Sequence, residues 1–571
     1  MSRRRACRDV LERTARAGYL TRMALPVALV PLRHPTFRML WGTNVIAWLG
    51  TWFQNTGAGW MMTALAPDPL MVSLVQAATI LPVCLLALPA GAIADIVDKR
   101  RFLIGTQVWT LFAACLLAAA TLLGLVSAWT LLLLTFCIGI GAAMTNPAWS
   151  AIVSELVPRK DLVQAVALGG IGFNATRAIG PALAGALLVL GGVEMAFLVY
   201  VATIPPLILA LLVWRRREPP IHAPREQLLS AMRAGMRFVR NTPAMRAAMW
   251  RSAAYSVPAA APWALLPLVV REQLGLDAGW FGIILGVMGV GGVSAGMLLP
   301  RLRARFSRGA LVLLATLCSC AGVALLGLAR HWAPALLGMA LFGLGWVSAY
   351  STLMATAQLV APPWVRARAL AIYQLSYNLT LAAFSFFWGW VGLYLGLSPT
   401  LMVAALTGAL LAAVARGFGL DQSNALSVPV PRPDTVIPAP EAPAAELQAM
   451  LPRARNQVLE VLRYRVSPSD RASFLAVMAE VRRVRGRAGA VDWQLFEDIA
   501  HPDTWLEAWV MQDWAEHLRE AGRISEEDHA VLAAAAAFQE DRGRASSRYL
   551  AVDPDDAAHQ ALPPSPRQTS R

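Results

Sequence analysis

From residue 37 to residue 416 the chain is a succession of apolar runs separated by short polar breaks. Each run is long enough to cross a hydrocarbon core of about 30 Å as a helix. The runs fall at 38–64, 71–94, 102–124, 129–152, 163–190, 194–214, 247–270, 279–300, 309–329, 333–357, 367–391 and 396–416. The pattern predicts an all-α polytopic membrane protein of twelve transmembrane helices. After residue 418 it changes. A Pro- and Ala-rich stretch, with Pro429, Pro431, Pro433, Pro438, Pro440 and Pro443, reads as a semi-extended linker. Beyond it Val458–Val466, Asp492–Asp498, Thr504–Met511 and Ser547–Val552 read as strands. Pro468–Arg487, with Ser467 as its N-cap, Trp514–Arg519 and Glu526–Phe538 read as helices. The tail is therefore a small α+β domain.

The polar breaks alternate in charge. Basic residues gather in every second loop: Lys99, Arg100 and Arg101; Arg159 and Lys160; a long loop holding Arg215, Arg216, Arg217, Arg225, Arg233, Arg237, Arg240 and Arg246; Arg301, Arg303, Arg305 and Arg308; and Arg366 and Arg368. The remaining loops hold only Arg271 and Arg330. The positive-inside rule then places the chain in the inner (plasma) membrane with both termini in the cytoplasm, which requires an even number of spans. In the long loop Leu228, Leu229, Met232, Met236 and Val239 share a helical face opposite Arg233, Arg237 and Arg240, predicting an amphipathic helix on the inner leaflet.

The two sets of six runs repeat. Gly91 and Gly296 each close an even-numbered run before a basic loop. Leu156-Val157-Pro158 and Leu359-Val360-Ala361 end even runs, and Phe173-Asn174-Ala175-Thr176 and Tyr377-Asn378-Leu379-Thr380 sit in runs five and eleven, all at a nearly constant offset. Two related six-helix halves follow, with a substrate cavity expected between them. The predicted layout is a basic cytoplasmic tail (1–36), a first half (37–215), a linker (216–246), a second half (247–418), the Pro/Ala-rich linker (419–455), the α+β domain (456–555) and a final tail (556–571). Residues 1–36 lack the apolar core and small-residue cleavage site of a secretory signal, and Met23 offers a second candidate start.

Composition agrees: of 571 residues 57% are hydrophobic and only 15% charged, where soluble domains carry about 25% charged residues. The net charge of +15 falls largely in the loops, which argues against nucleic acid as a partner. Cys84, Cys115, Cys137, Cys318 and Cys320 lie in apolar runs, and no Cys or His spacing predicts a disulfide framework or a metal site. No phosphate-binding Gly-x-x-x-x-Gly-Lys-[Ser/Thr] loop indicates an ATP-driven pump.

Gly91-Ala92-Ile93-Ala94-Asp95-Ile96-Val97-Asp98-Lys99-Arg100-Arg101 resembles the loop signature of the major facilitator superfamily, Gly91, Asp95, Lys99 and Arg100 matching and Ile96 and Asp98 departing. Gly180-Pro181-Ala182-Leu183-Ala184-Gly185 resembles the Gly-Pro-x-x-Gly-Gly signature of its exporters, with Ala184 departing. Over about residues 30–418 the layout resembles the drug and siderophore efflux branch, the transmembrane secretion effectors. The resemblance implies a secondary active exporter of small molecules working by alternating access, with protons as coupling ion. It implies that Gly91, Asp95, Asp98, Lys99 and Arg100 form a conformational switch loop and that Gly180, Pro181 and Gly185 pack helices. Residues 455–555, with Trp505-Leu506-Glu507-Ala508-Trp509 and Trp514-Ala515-Glu516-His517-Leu518, resemble antibiotic-biosynthesis-monooxygenase-like domains. That implies a ferredoxin-like fold and a homodimer contact.

The residues themselves nominate a site. Arg177 falls near the centre of a span, where an Arg costs about 2.5–3.5 kcal/mol, so it should face a cavity or a polar partner. Asn174 lies one turn away. Asn44, Gln54, Asn55, Gln76, Asn146, Gln374 and Asn378 are further lining candidates, as are the aromatic residues Trp60, Trp263, Tyr350, Tyr373, Tyr377, Phe386, Phe387 and Trp388. No Asp, Glu or His lies deep in a span, so the sequence offers proton coupling only membrane-edge carboxylates. His517 is expected on a helix surface, and no catalytic residue or cofactor is predicted. The alternatives left open are a membrane-tethered enzyme using the tail and a non-transporting membrane sensor or scaffold.

Overall fold

The computed structural model describes residues 27–214, 228–362, 365–417, 419–420, 456–520, 523–524, 526–539 and 546–551. The basic tail through residue 26, the linker at 421–455 and the end beyond 551 lie outside the described residues. A short 3₁₀ turn, Val27–Arg33, leads into α1 (Pro35–Leu65), α2 (Pro69–Ile96), α3 (Lys99–Leu122), α4 (Ala128–Leu156), α5 (Leu162–Thr203) and α6 (Pro205–Val213). After α7 (Leu228–Asn241) come α8 (Pro243–Leu268), α9 (Ala278–Arg303), α10 (Arg308–Leu328), α11 (Trp332–Val360), α12 (Arg366–Leu395) and α13 (Leu397–Ala415).

The polar breaks act as caps. Asp68 accepts the Leu70 amide, Asp98 accepts the Arg101 amide, Asp277 accepts the Trp280 amide and Ser307 accepts the Ala310 amide. Ser127 and Thr130 form a reciprocal capping box. Each cap satisfies an orphan amide where an apolar run begins. Ten described helical stretches are long and apolar enough to cross a membrane. The sequence predicts twelve spans, and two causes explain the difference. In α1, 31 residues long, Arg38, Asn44, Gln54 and Asn55 dilute the hydropathy. Leu162–Val213 forms one 52-residue stretch, more than twice the length a bilayer core needs. That stretch breaks at Gly191 and Gly192, and Gly192 takes φ 71°, a left-handed conformation that glycine adopts without strain. Large apolar side chains such as Leu190, Val163 and Met297 are exposed on the helices, as in a bundle solvated by lipid.

The chain divides into two compact units. The first gathers α1–α6, α8 from Ser252 on, α9, α10, α11 through Ser351, α12 from Leu375 and α13. Small residues at several helix crossings let backbones approach. A Cβ on Gly185 of α5 would lie 2.5 Å from the Cα of Gly282 in α9, and one on Gly289 would lie 2.6 Å from the Cα of Ala178. On Gly389 of α12 it would meet the Ser73 hydroxyl of α2 at 2.0 Å.

The second unit contains α7, the segments Ala223–Arg251 and Thr352–Gln374, and the chain from Gly417 on. Its sheet comprises β1 (Val458–Arg465), β2 (Asp492–Glu497), β3 (Thr504–Met511) and β4 (Ser546–Leu550), with α14 (Arg471–Ala488) between β1 and β2 and α15 (Trp514–Glu520) and α16 (Glu526–Ala537) between β3 and β4. The order is β2-β3-β1-β4, all antiparallel, with Val458 opposite both Met511 and Leu550. Alternation along β1 buries Val458, Glu460, Leu462 and Tyr464; the three other than Glu460 join Phe474, Met478 and Val481 of α14 and Trp505 and Trp509 of β3 in one core. Ser467, expected as the N-cap of a helix from Pro468, makes no cap bond; a 3₁₀ turn at Pro468–Asp470 precedes the helix.

The linker helix departs from expectation. Phe238 and Val239 are buried, whereas Met236, placed with Val239 on the apolar face, is exposed. Asn241 packs on Gly486 of α14, and Gly235 packs on Arg368 and Ile372. The buried stripe is thus set by protein contact as well as by apolar spacing. The side chains of Leu228 and Leu229 lie outside the described residues.

Candidate functional site

Within the first unit a cavity of about 60 Å³ is lined by Trp52, Asn55, Thr56 and Gly59 of α1, Gln76 and Thr79 of α2, Pro262 and Trp263 of α8, Phe281, Leu285 and Met288 of α9, and Phe342 of α11. Polar atoms enter an otherwise aromatic and aliphatic wall. Asn55 Oδ1, Thr56 Oγ1 and Trp263 Nε1 are buried without hydrogen-bond partners among the described residues. Each such group costs about 1–3 kcal/mol, which a polar solute at this wall would offset. Gly180 of α5 faces the side chain of Trp52, whose atoms would lie 2.8 Å from a Cβ there, so the glycine makes room for the indole.

An aromatic chain leads away from the cavity. Trp52 stacks on Trp263 at 6.4 Å between centroids, and Trp263 meets Trp346 of α11 edge-on at 5.0 Å. The guanidinium of Arg177 lies 4.2 Å from the centroid of the Trp346 ring and 6.0 Å from that of Phe173. Trp346 Nε1 donates to Tyr377 Oη at 3.1 Å, and Tyr377 packs on Tyr350 at 5.2 Å. Arg177 makes no hydrogen bond or ion pair among the described residues, so its donors are available.

The other candidates are distributed differently. Asn55, Gln76 and Trp263 line the cavity; Asn44 and Gln54 are buried in α1 without lining it, each with an amide nitrogen lacking a partner among the described residues. Asn174 turns its amide to the Gly170 carbonyl of its own helix at 2.8 Å and does not join Arg177. Gln374 and Asn378 are half-buried and do not line the cavity. Trp388 donates to the Val257 carbonyl at 2.7 Å, and Phe386 and Phe387 are exposed. Trp52, Thr56, Phe281 and Trp346 were not singled out, because nothing in an apolar run tells a cavity-facing aromatic from a lipid-facing one. A second basic residue within an apolar run, Arg251 of α8, is buried.

At one end of the bundle the π-helical turn Val269–Gln273 aims Arg271 at α1. Arg271 donates to Thr63 Oγ1 at 3.0 Å and lies 5.5 Å from the Trp60 ring, which stacks on Phe281 at 5.7 Å. At the opposite end lies the loop between α2 and α3. Arg100 donates to the carbonyls of Leu211 and Leu212, both at 2.7 Å, capping the C-terminus of α6. Lys99 pairs with Glu155 of α4 at 2.9 Å. Asp98 caps α3. Gly91 and Asp95 belong to the last turns of α2, and their side-chain surroundings lie outside the described residues.

The α+β segment holds a buried charge network. Arg485 of α14 donates to Glu507 Oε1 at 3.1 Å and Glu520 Oε1 at 3.0 Å, and stacks 3.7 Å from the Trp509 centroid. Tyr464 and Trp493 also donate to Glu507, at 2.7 and 3.1 Å. Burial opposes the charge on Arg485, but Glu507 and Glu520 hold its pKa well above the ordinary range. Burial raises Glu520 despite the pull of Arg485. His517, expected on a helix surface, is instead buried in contact with Glu460, with its ring against Trp514. The alternation of β1 points Glu460 into the core, directly at that helix. Glu460, His517 and Glu520 place one ligand atom each within 4.8 Å of one another and are the described residues able to hold a metal ion. Sequence spacing could not show this, because the strand supplies one of the three. Arg485→Met would leave Glu507 and Glu520 buried without their cation, costing about 3–5 kcal/mol. The expected result is loss of the domain's cooperative melting transition, measured by scanning fluorimetry of the full chain.

Comparison with known proteins follows this geometry. The transmembrane secretion effector family matches residues 26–552. The staphyloferrin A transporter of Staphylococcus aureus is 28% identical over 28% of this chain and 41% of its own length. The enterobactin exporter of Shigella flexneri is 28% identical over 46% of this chain and 62% of its own. The matched segments thus span less than two thirds of either relative. The fold is shared with a bacterial homologue of the lysosomal transporter Spinster (TM-score 0.53, 15% identity, 68% of this chain and 96% of that one) and with a D-xylose–proton symporter (TM-score 0.53, 15% identity, 66% and 97%). With the family match covering the transport helices and the sheet alike, the chain belongs to the transmembrane secretion effectors of the major facilitator superfamily.

Proposed function

We propose that this protein is a secondary transporter that exports small polar or anionic molecules carrying an aromatic or apolar body, siderophore-like compounds among them, by alternating access. The carrying observation is the cavity: an aromatic wall with unpartnered polar atoms, joined through stacked Trp residues to a membrane-embedded Arg with available donors. In this reading the chain has twelve spans in two six-helix halves. α1 and the kinked α5–α6 stretch supply the spans that the hydropathy count leaves out. Residues from both halves then line the cavity, the arrangement alternating access needs.

The charge pattern of the loops supports placing the α2–α3 loop on the cytoplasmic side and Arg271 on the outer side. The close Gly185–Gly282 and Ser73–Gly389 approaches and the Arg271–Thr63 bond then close the outer end. A cavity of about 60 Å³ is far below the roughly 300–1,000 Å³ of sites that hold drug-sized ligands, so cargo enters only when the halves part. The capping contacts of Arg100 and the Lys99–Glu155 pair are the charge contacts through which the Gly91–Arg101 loop would act as the switch. Proton coupling would run through membrane-edge groups such as His34 and Asp161, 3.0 Å apart. The β1-α14-β2-β3-α15/α16-β4 order supports a ferredoxin-like domain, which we assign a regulatory or dimerising role.

Export is tested by accumulation of a chemically diverse panel, including catecholates and hydroxycarboxylates, in cells with and without the protein. At least one anionic aromatic compound should accumulate several-fold less with the protein, and collapsing the pH gradient should abolish the difference if protons drive it. Equal accumulation of every compound, in cells shown to carry the protein in the membrane, would overturn the reading.

A further inference from the structure

The second unit contains a groove that the transport cycle does not use. It measures about 620 Å³ and opens between the end of α7 with the first turn of α8 on one side and α14 with β2 on the other. Four arginines line it: Arg240 and Arg246 from the linker side, Arg482 and Arg483 from α14. Its floor is apolar and aromatic, with Trp493 and Leu495 of β2. Among the described residues no acidic one lines it. Arg483 is ion-paired with Glu480 in its own helix, whereas the guanidinium groups of Arg240, Arg246 and Arg482 have no hydrogen-bond or ion-pair partner among the described residues.

Three like charges gathered around one concavity repel one another, and neighbouring carboxylates would ordinarily relieve that repulsion. Here the two walls are also held together. Asn241 packs on Gly486 with its side chain 2.8 Å from where a Cβ would stand, and it donates to the Arg237 carbonyl at 2.9 Å. The groove is therefore fixed by packing, and among the described residues Arg240, Arg246 and Arg482 have no carboxylate partner. Its volume falls in the range of sites that hold small ligands. Guanidinium forks match phosphate and carboxylate oxygens two bonds at a time.

We propose that this groove binds an amphiphilic anion, with its phosphate or carboxylate held by Arg240, Arg246 and Arg482 and its apolar body on Trp493 and Leu495. Because one wall is the linker helix and the other the α+β domain, such a ligand clamps the two together. The ligand chemistry has two sources, the headgroup of an acidic phospholipid and a soluble acidic metabolite. The assignment stands on the second unit alone and does not depend on what the transport cavity carries.

The test is calorimetric titration of the full chain, in nanodiscs of phosphatidylcholine, with 2-naphthoate and with its neutral isostere 2-naphthamide. The Arg177→Met background removes the membrane-embedded cation from the measurement. We expect 2-naphthoate to bind at least tenfold more tightly than 2-naphthamide, and the double variant Arg240→Gln/Arg482→Gln to lose that preference without a change in melting temperature. Repeating the titration in phosphatidylglycerol nanodiscs separates the sources: competition there identifies the lipid headgroup, and undiminished binding identifies a soluble anion. Equal affinity for the two naphthalene probes, or a double variant that binds like the parent, would overturn the proposal. A Gly486→Leu variant gives a second reading, since its side chain forces Asn241 away and should weaken 2-naphthoate binding while leaving all four arginines in place.

Discussion

Gly185→Leu should reduce export at least tenfold in a protein that still reaches the membrane. The reason is geometric and reciprocal. A Cβ on Gly185 would stand 2.5 Å from the Cα of Gly282, and one on Gly282 would stand 2.4 Å from the Cα of Gly185. Backbone lies on both sides, so no side chain can rotate away to make room. Overpacking of this kind costs about 1–3 kcal/mol, and here all of it falls on the conformation in which α5 and α9 touch. With about 1.4 kcal/mol for each factor of ten, the equilibrium between closed and open ends should move by roughly 5- to 150-fold. The shift is measured with a cysteine at Ala278, buried beside this contact: an impermeant maleimide should label Ala278→Cys faster in the Gly185→Leu background. Gly296→Leu is the matched control. It adds the same side chain where nothing lies within 4 Å, so export and labelling should stay at the parent level. Equal loss in both variants would make the effect a general intolerance of bulk in the helices.

That pair of glycines also shows how far the sequence can be read. Both lie within apolar runs, and the resemblance to the exporter motif singled out Gly180, Pro181 and Gly185 together. The chain does not reveal that Gly180 makes room for Trp52 while Gly185 meets Gly282, because a glycine's partner lies on another helix. Helix positions were legible for a simple reason: apolar length and short polar caps such as Asp68, Asp98 and Ser307 are local properties. The break at Gly191–Gly192 was legible as well, since two adjacent glycines end an apolar run. The cavity was legible in Asn55, Gln76 and Trp263. Asn55 and Gln76 stand out against an apolar background, whereas Trp52, Phe281 and Trp346 match the many aromatic residues that face lipid. His517 failed for a related reason. Its burial is decided by Glu460, far away on β1, and a seven-residue helix is too short for its own pattern to show which side is covered.

Arg177→Met should retain full stability and lose transport of anionic cargo. The two halves of that statement have to be taken together. An Arg within a span costs about 2.5–3.5 kcal/mol, and a cation–π contact such as the one with Trp346 returns about 0.5–2 kcal/mol. Arg177 has no ion pair or hydrogen bond among the described residues to make up the difference. Its replacement by an apolar side chain of similar length should therefore leave the melting temperature unchanged or raise it. A residue that costs stability and is not needed for packing is retained for what it binds. If its donors hold a carboxylate or catecholate oxygen, losing a charge-assisted hydrogen bond of about 1.5–3 kcal/mol should lower the export rate for anionic compounds roughly ten- to hundredfold. Neutral aromatic compounds, which need only the Trp52–Trp263 wall, should be exported at the parent rate. Arg177→Lys separates charge from shape: the ammonium keeps the attraction but loses the planar fork and its stacking on Trp346, so anionic export should be intermediate. The decisive measurement is the ratio of anionic to neutral export in each variant beside its melting temperature. A lowered melting temperature with both cargo types impaired alike would make Arg177 a structural residue and move the site of cargo recognition back to the cavity wall.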